Sequence, residues 1–377
     1  MASSHSHAVD KALVNDKDQL EMFEEYCLGS SSVTRSLPLW DLLPIFLFGK
    51  RNELSPDTPI SAAAPRRHQF QHRGQQISIE ITPAQITTDK TTRMFFPGER
   101  EQLVSAAVRA LAVRGVARMG TQQDHHPQGK NKAVLVTIGL TIRQLRAELT
   151  RTGHTFSHPE ITDALNILSK TNISLTYTRE DLKDPVSDSF PYYSRLMMQD
   201  DKRIIVLNPS ESGQILSGAY RALKYDQLMS LEDPIARWLY QYLHNEHRGA
   251  KKTFPGETTR PFRISLSDLI NRGIITPMKD TSRTVKRVRS SFDMLLQAGT
   301  LDSFKEEVQK TATGGRAKIV DVTWLVILSA KAVDFIIDAN SEAQYRTPQL
   351  AYLGKIGRME RTEVVRQKFT DSNENAD

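Results

Sequence analysis

From Asp280 to Leu296 the chain reads DTSRTVKRVRSSFDMLL, and its apolar residues recur every three or four positions. Val285, Val288, Phe292, Leu295 and Leu296 fall on one stripe, which predicts an amphipathic helix. Asp280 is placed to cap it, with Thr281 and Ser282 behind. Arg283, Lys286, Arg287 and Ser290 lie opposite the stripe, and Arg289 on its flank. Cations early in a helix oppose the macrodipole by a few tenths of a kcal/mol each, up to ~1. A phosphate or a guanine edge would reverse that sign, so the surface suits a groove of DNA. A solvated basic face is the plain alternative.

The pattern around this helix predicts two units of similar order. In the first, ISIEI (77–81) alternates as a strand and GEREQLVSAAVRALAVRG (98–115) forms a helix. TQQDHHPQGKNK (121–132) is a polar loop and AVLVTIG (133–139) a strand. A helix pair follows over 141–153 and 159–171, the first stopped by Gly153, the second capped by Ser157 with Pro159 at its start. ISLTYT (173–178) is a strand, the polar segment after it a connection, and 194–209 a hairpin around Gln199 to Asp201. In the second unit, DPIARWLYQYLHNEH (233–247) is a helix, FRIS (262–265) a strand, and LSDLINRGI (266–274) a helix ended by Gly273. The basic helix comes next, then strands over 300–310 and 318–328 joined by a Gly-Gly turn, then a closing helix over 331–339. Helix, strand, helix pair and hairpin in this order are the winged-helix variant of helix-turn-helix, with a three-stranded sheet behind the reader. The expected fold is therefore α+β: two tandem winged-helix domains over 77–218 and 219–340. A largely disordered arm and linker over 1–76 and a charged tail over 341–377 complete it. In the second wing, Lys310, Arg316 and Lys318 surround Gly314 and Gly315, which suits close approach to a phosphate backbone.

Composition narrows the partners. The chain has 377 residues with a net charge of +6 and a pI of about 9.2, a balance that suits nucleic acid or an anionic surface. A single cysteine, Cys27, excludes an internal disulfide and any multi-cysteine zinc module, and fits a reducing cytoplasm. No run of 18 apolar residues is present, so no membrane partner is expected. LPLWDLLPIFLFG (37–49) is a short apolar cluster broken by Pro38 and Pro44.

The segments LEDPIARWLYQYL and VKRVRSSFDMLLQAGTLDSF, with a helix pair between and a hairpin after, resemble the second winged helix of plasmid replication initiators of the RepA/TrfA-like family. The resemblance covers roughly residues 77 to 340. It implies a twin winged-helix protein that binds repeated double-stranded origin sites (iterons), shifts between dimer and monomer, and recruits host helicase, initiator and polymerase components. By position, base reading falls on Thr281, Ser282, Arg283, Lys286, Arg287 and Ser290, and backbone contact on Arg289, Arg316 and Lys318. The second helix of the first unit offers His158, Glu160, Thr162, Asp163, Asn166, Ser169 and Lys170, which is hardly basic, so a backbone-only or dimerising role suits that unit.

Gln19, Leu20, Met22 and Phe23 resemble the QLxLF-type peptide by which bacterial proteins dock on the polymerase sliding clamp. Packing back on the first unit is the other account of this cluster. His154 and His158 have metal-site spacing, but no cysteine or carboxylate completes a set. No cofactor or metal is implied. The chain lacks G-x-x-x-x-G-K-[ST], a His-apolar-His motif with a nucleophilic tyrosine, and a carboxylate cluster, so no enzyme is expected. Tyr192, Tyr193, Tyr240 and Tyr242 are read as packing or wing residues. A winged-helix transcriptional repressor, possibly autoregulatory, is the alternative function.

Overall fold

Burial follows the alternation in the strands and the three-to-four spacing in the helices, and it divides the apolar side chains between two cores. The computed structural model describes residues 32–48, 53–54, 65–72, 74–87, 92–124, 133–177, 185–247, 261–311 and 318–342. The sequence-identified Gln19, Leu20, Met22, Phe23 and Arg316 lie outside the described residues.

The N-terminal elements are β1 (Val33–Ser36), a 3-10 turn (Trp40–Leu42), β2 (Glu53–Leu54), β3 (Arg66–His72), β4 (Gln75–Thr82), β5 (Ala84–Thr87) and β6 (Thr92–Phe95). Then come α1 (Glu99–Val113), β7 (Arg118–Asp124), β8 (Ala133–Thr141), α2 (Ile142–Arg151), α3 (His158–Lys170), β9 (Asn172–Tyr177), β10 (Val186–Pro191), β11 (Tyr193–Gln199), β12 (Lys202–Leu207) and α4 (Pro209–Leu216). The remainder holds β13 (Arg221–Lys224), α5 (Tyr225–Ser230), α6 (Pro234–Glu246), β14 (Phe262–Ser265), α7 (Leu266–Asn271), α8 (Thr281–Gln297), β15 (Leu301–Lys310) and β16 (Ile319–Leu328). A last helix, α9, covers 330–342.

The second unit has the expected order: β14, the α7–α8 pair, then the β15–β16 hairpin, with the three strands in one antiparallel sheet ordered β14-β16-β15. Trp324, Val322, Val326 and Leu328 alternate inward along β16 and meet Val285, Val288, Phe292 and Leu295 of α8 in one core.

The first unit departs from the expected three-stranded sheet. β8, which precedes the α2–α3 pair, joins a sheet ordered β11-β12-β8-β7, whereas the β9–β10 hairpin after the pair joins another ordered β10-β9-β4-β3. Two segments read as loop or connection are strands: β7 occupies 121–124 and β10 occupies Val186–Pro191. Both are polar sequences whose ladder bonds are made on an apolar neighbour strand, so their own pattern carries little signal.

The assignment of residues 1–76 to a disordered arm and linker is corrected over 32–48, 53–54 and 65–72. β1 pairs antiparallel with β13, Val33 opposite Lys224 and Ser36 opposite Arg221. Leu37, Trp40, Leu43 and Ile45 are buried in the first core and Phe48 in the second, so this apolar segment is a strap across both. Asp41 accepts from Leu37 N and Ser36 Oγ, both at 2.9 Å, and pairs at 2.6 Å with Arg109 of α1. Pro38 and Pro44 break helical or strand periodicity without breaking this path, since a strap needs neither. β3 forms the edge of its sheet with only Phe70 and His72 buried, which is why its sequence resembles a linker.

Candidate nucleic-acid interface

Helix α8 starts where the sequence places it. Asp280 is extended, and its carboxylate accepts from Ser282 N at 2.9 Å. Thr284 is buried, and its Oγ1 accepts from Met278 N at 3.0 Å, tying the preceding loop to the first turn. The buried side carries Val285, Val288, Ser291, Phe292 and Leu295. Phe292 lies 5.5 Å from the rings of both Phe304 and Trp324. Ser291 Oγ donates to the Asp233 carboxylate, which also accepts from Ala236 N at 3.2 Å as the cap of α6. The helix is thus fixed against both the sheet and α6. Leu296, expected in the stripe, is 39% exposed, because the stripe is filled by its neighbours and this residue falls at its edge.

The structure brings together most of the sequence-predicted DNA-binding residues. Thr281, Ser282, Arg283, Lys286 and Ser290 are exposed on the side of α8 away from the core, and Arg287 is half-buried on one flank. Arg283 is 80% exposed, with the cap carboxylate of Asp280 4.0 Å away. Lys279, which sequence reasoning passed over, is exposed just before the cap. Lys318 is exposed at the turn end of the hairpin, and Lys310 is exposed across from it, opposite Ile319. Val308 and Val320, at the same end of the hairpin, are also exposed.

Arg289 has a different setting from its neighbours. Its Nε and Nη2 donate to the two carboxylate oxygens of Glu306 on β15 at 2.7 and 2.6 Å. Glu306 also accepts from Trp324 Nε1 at 2.9 Å. Hydrogen bonding to Glu306 raises the Arg289 pKa, and the bond from Arg289 holds the Glu306 carboxyl below its usual range. This bidentate pair couples the exposed flank of α8 to the hairpin.

In the first unit α3 carries a single exposed cation, Lys170, and the preceding helix carries more. Arg143 and Arg146 are exposed on α2, opposite the buried Ile142, Leu145 and Leu149. Their three-residue spacing was visible in TIRQLRAELTRTG. The α3 residues His158, Glu160, Asp163 and Lys170 are exposed, and the Ser157–Glu160 capping box uses up one of the carboxylates. His154 Nε2 lies 3.0 Å from Met229 O, a structural contact. Tyr192, Tyr193 and Tyr240 are buried packing residues, and burial raises all three phenol pKa values. Among the described residues no helix is long and apolar enough to cross a membrane.

No protein-family model matches the chain, and no curated protein matches it. Its structural neighbours include domains 2 and 3 of RctB in two crystal structures. One is 12% identical over 78% of this chain and 99% of the other, with a TM-score of 0.44. The second is 12% identical over 79% and 98%, with a TM-score of 0.42. A third neighbour is the Pi initiator protein in complex with iteron DNA, 11% identical over 61% of this chain and 91% of that one, with a TM-score of 0.37.

Proposed function

We propose that this chain is a sequence-specific, non-catalytic binder of double-stranded DNA whose second unit is a winged helix. α8 lies in the major groove, and the β15–β16 hairpin follows the adjoining backbone. The observation that carries this reading is the single exposed surface made by Thr281, Ser282, Arg283, Lys286 and Ser290. It lies at the capped end of a helix that is held rigidly from behind. Side chains on a fixed helix can be matched to base edges, whereas cations on mobile loops can only add attraction. The narrower target is the repeated origin DNA of a plasmid, with the chain acting as replication initiator. It is supported by the resemblance carried by ARWLYQYL and SFDMLLQAGTL. Recruitment of the host sliding clamp through Gln19, Leu20, Met22 and Phe23, recruitment of helicase, and monomer–dimer exchange belong to the same proposal.

Selection of bound sites from random duplexes tests the reading, followed by footprinting on the DNA that encodes the chain. The expected result is an enriched motif that recurs as direct repeats in that DNA. Incubation with ATP or Mg²⁺ should yield neither hydrolysis nor nicked plasmid. A selection that enriches no motif overturns the proposal.

A further inference from the structure

The turn that leads into α8 is held by a strand of the other unit. Arg272, the C-cap of α7, has its side chain only 7% exposed. Its Nε donates to Asp268 at 2.8 Å and its Nη2 to the carbonyl of Gln71 on β3, also at 2.8 Å. The guanidinium lies 4.9 Å from the Phe70 ring and 5.6 Å from the Tyr242 ring. The next residue, Gly273, has φ +77°, and a Cβ there would meet the His68 ring at 2.3 to 2.5 Å. Its carbonyl accepts from Arg66 Nη2 at 3.4 Å. Glycine is therefore required twice, by backbone conformation and by the closeness of β3. From Gly273 the chain passes the buried Ile274 and Ile275 and reaches the exposed Thr276 to Asp280, which open α8.

We propose that the edge strand β3 is a positioning element for DNA reading: through Arg66, His68, Phe70 and Gln71 it fixes the α7–α8 turn, and with it the aim of the first turns of α8. This rests on the DNA-reading role proposed above. The residues of β3 act through Arg272 and Gly273 and are positioning residues, not base contacts. α8 is anchored in the second core by Val288, Phe292 and Leu295, so loosening the turn should shift its reading end and leave the fold standing. A base contact depends on side-chain placement to a fraction of an ångström, whereas general attraction to phosphates does not.

The experiment compares full-length wild type, Arg272→Lys, His68→Ala, Gly273→Ala and the double variant His68→Ala with Gly273→Ala. For each, affinity for the selected duplex and for a scrambled duplex is measured across a salt series, together with the melting temperature. Arg272→Lys keeps the charge and loses the two directed bonds. It and His68→Ala should lower the ratio of specific to non-specific affinity about tenfold, the scale of one lost base contact. The salt dependence should not change, because phosphate contacts are untouched. Gly273→Ala should lower the ratio further, and removing the His68 ring in the double variant should recover part of the loss. If the variants lose specific and non-specific affinity in equal proportion, β3 is only a stabilising strand and the positioning role is overturned. The same conclusion follows if wild type enriches a motif and every variant keeps its ratio. If wild type enriches no motif, the positioning role falls together with the DNA reading.

Discussion

Glu306 determines what Arg289 can offer a ligand. Its two oxygens hold the guanidinium in one orientation and offset its charge. Arg283 is mostly solvated and can reach for a base edge. Arg283→Ala should therefore cost roughly 1–3 kcal/mol on the selected site and relax preference at one base pair. Lys318→Ala should weaken selected and scrambled duplexes alike and lower the slope of log K against log salt by about 1. Filter-binding titrations over a salt series separate the two, and identical behaviour of both variants would contradict the division between helix and hairpin. The exposed face of α8 was legible in the sequence because the Asp280 cap and the Val285–Leu295 stripe fix the phase of the helix. The Arg289–Glu306 pair was not, since nothing in a linear sequence sets the register of β15 against α8.

At the scale of elements, strands that bury a clear alternation were legible, and strands that only complete another's ladder were not. β4 buries Ile77, Ile79 and Ile81 and announces itself, whereas β3, β7 and β10 take their place from a neighbour. The same packing gives the protein an acid limit. Burial, reinforced by Arg66, pushes the His68 pKa down to about 4, and burial does the same to His244. Between pH 6.5 and 4 the unfolded chain then binds protons that the folded one refuses, so stability falls as pH drops through that window. Glu211 of α4, raised by burial to about 8, acts in the opposite sense, favouring the folded state less as pH rises above 4.5. Urea unfolding at pH 6.5 and 5 should show a smaller acid loss in His68→Gln than in wild type. An unchanged difference would mean that the ring is already solvated in the fold.

At the scale of the molecule, the strap over 37–48 places side chains in both cores and should couple their unfolding. Trp40→Ala should cost about 3–5 kcal/mol, as for other large buried aromatics. It should also split a single urea transition into two, because the 3-10 turn that Trp40 opens packs against α6 of the second unit. Fluorescence and circular dichroism followed together would show the split, and coincident transitions at the wild-type midpoint would rule it out. The periodicity of the two units was readable separately. Their union was not, since LPLWDLLPIFLF has no period that names a partner.

That union also orders events at the ribosome. Ser36 bonds to Asn245 across 209 positions, and Arg66 to Gly273 across 207. The strap must therefore wait for the second unit before the last of its partners exist. Closing so long a loop adds little to the equilibrium cost, which grows only with the logarithm of length, but it delays the final step. During that delay Leu37, Trp40 and Phe48 have no complete core to enter, so the nascent chain presents a sticky segment for the time needed to translate about two hundred further residues. Completion of the fold and the docking of β3 against the α7–α8 turn thereby belong to the same late event.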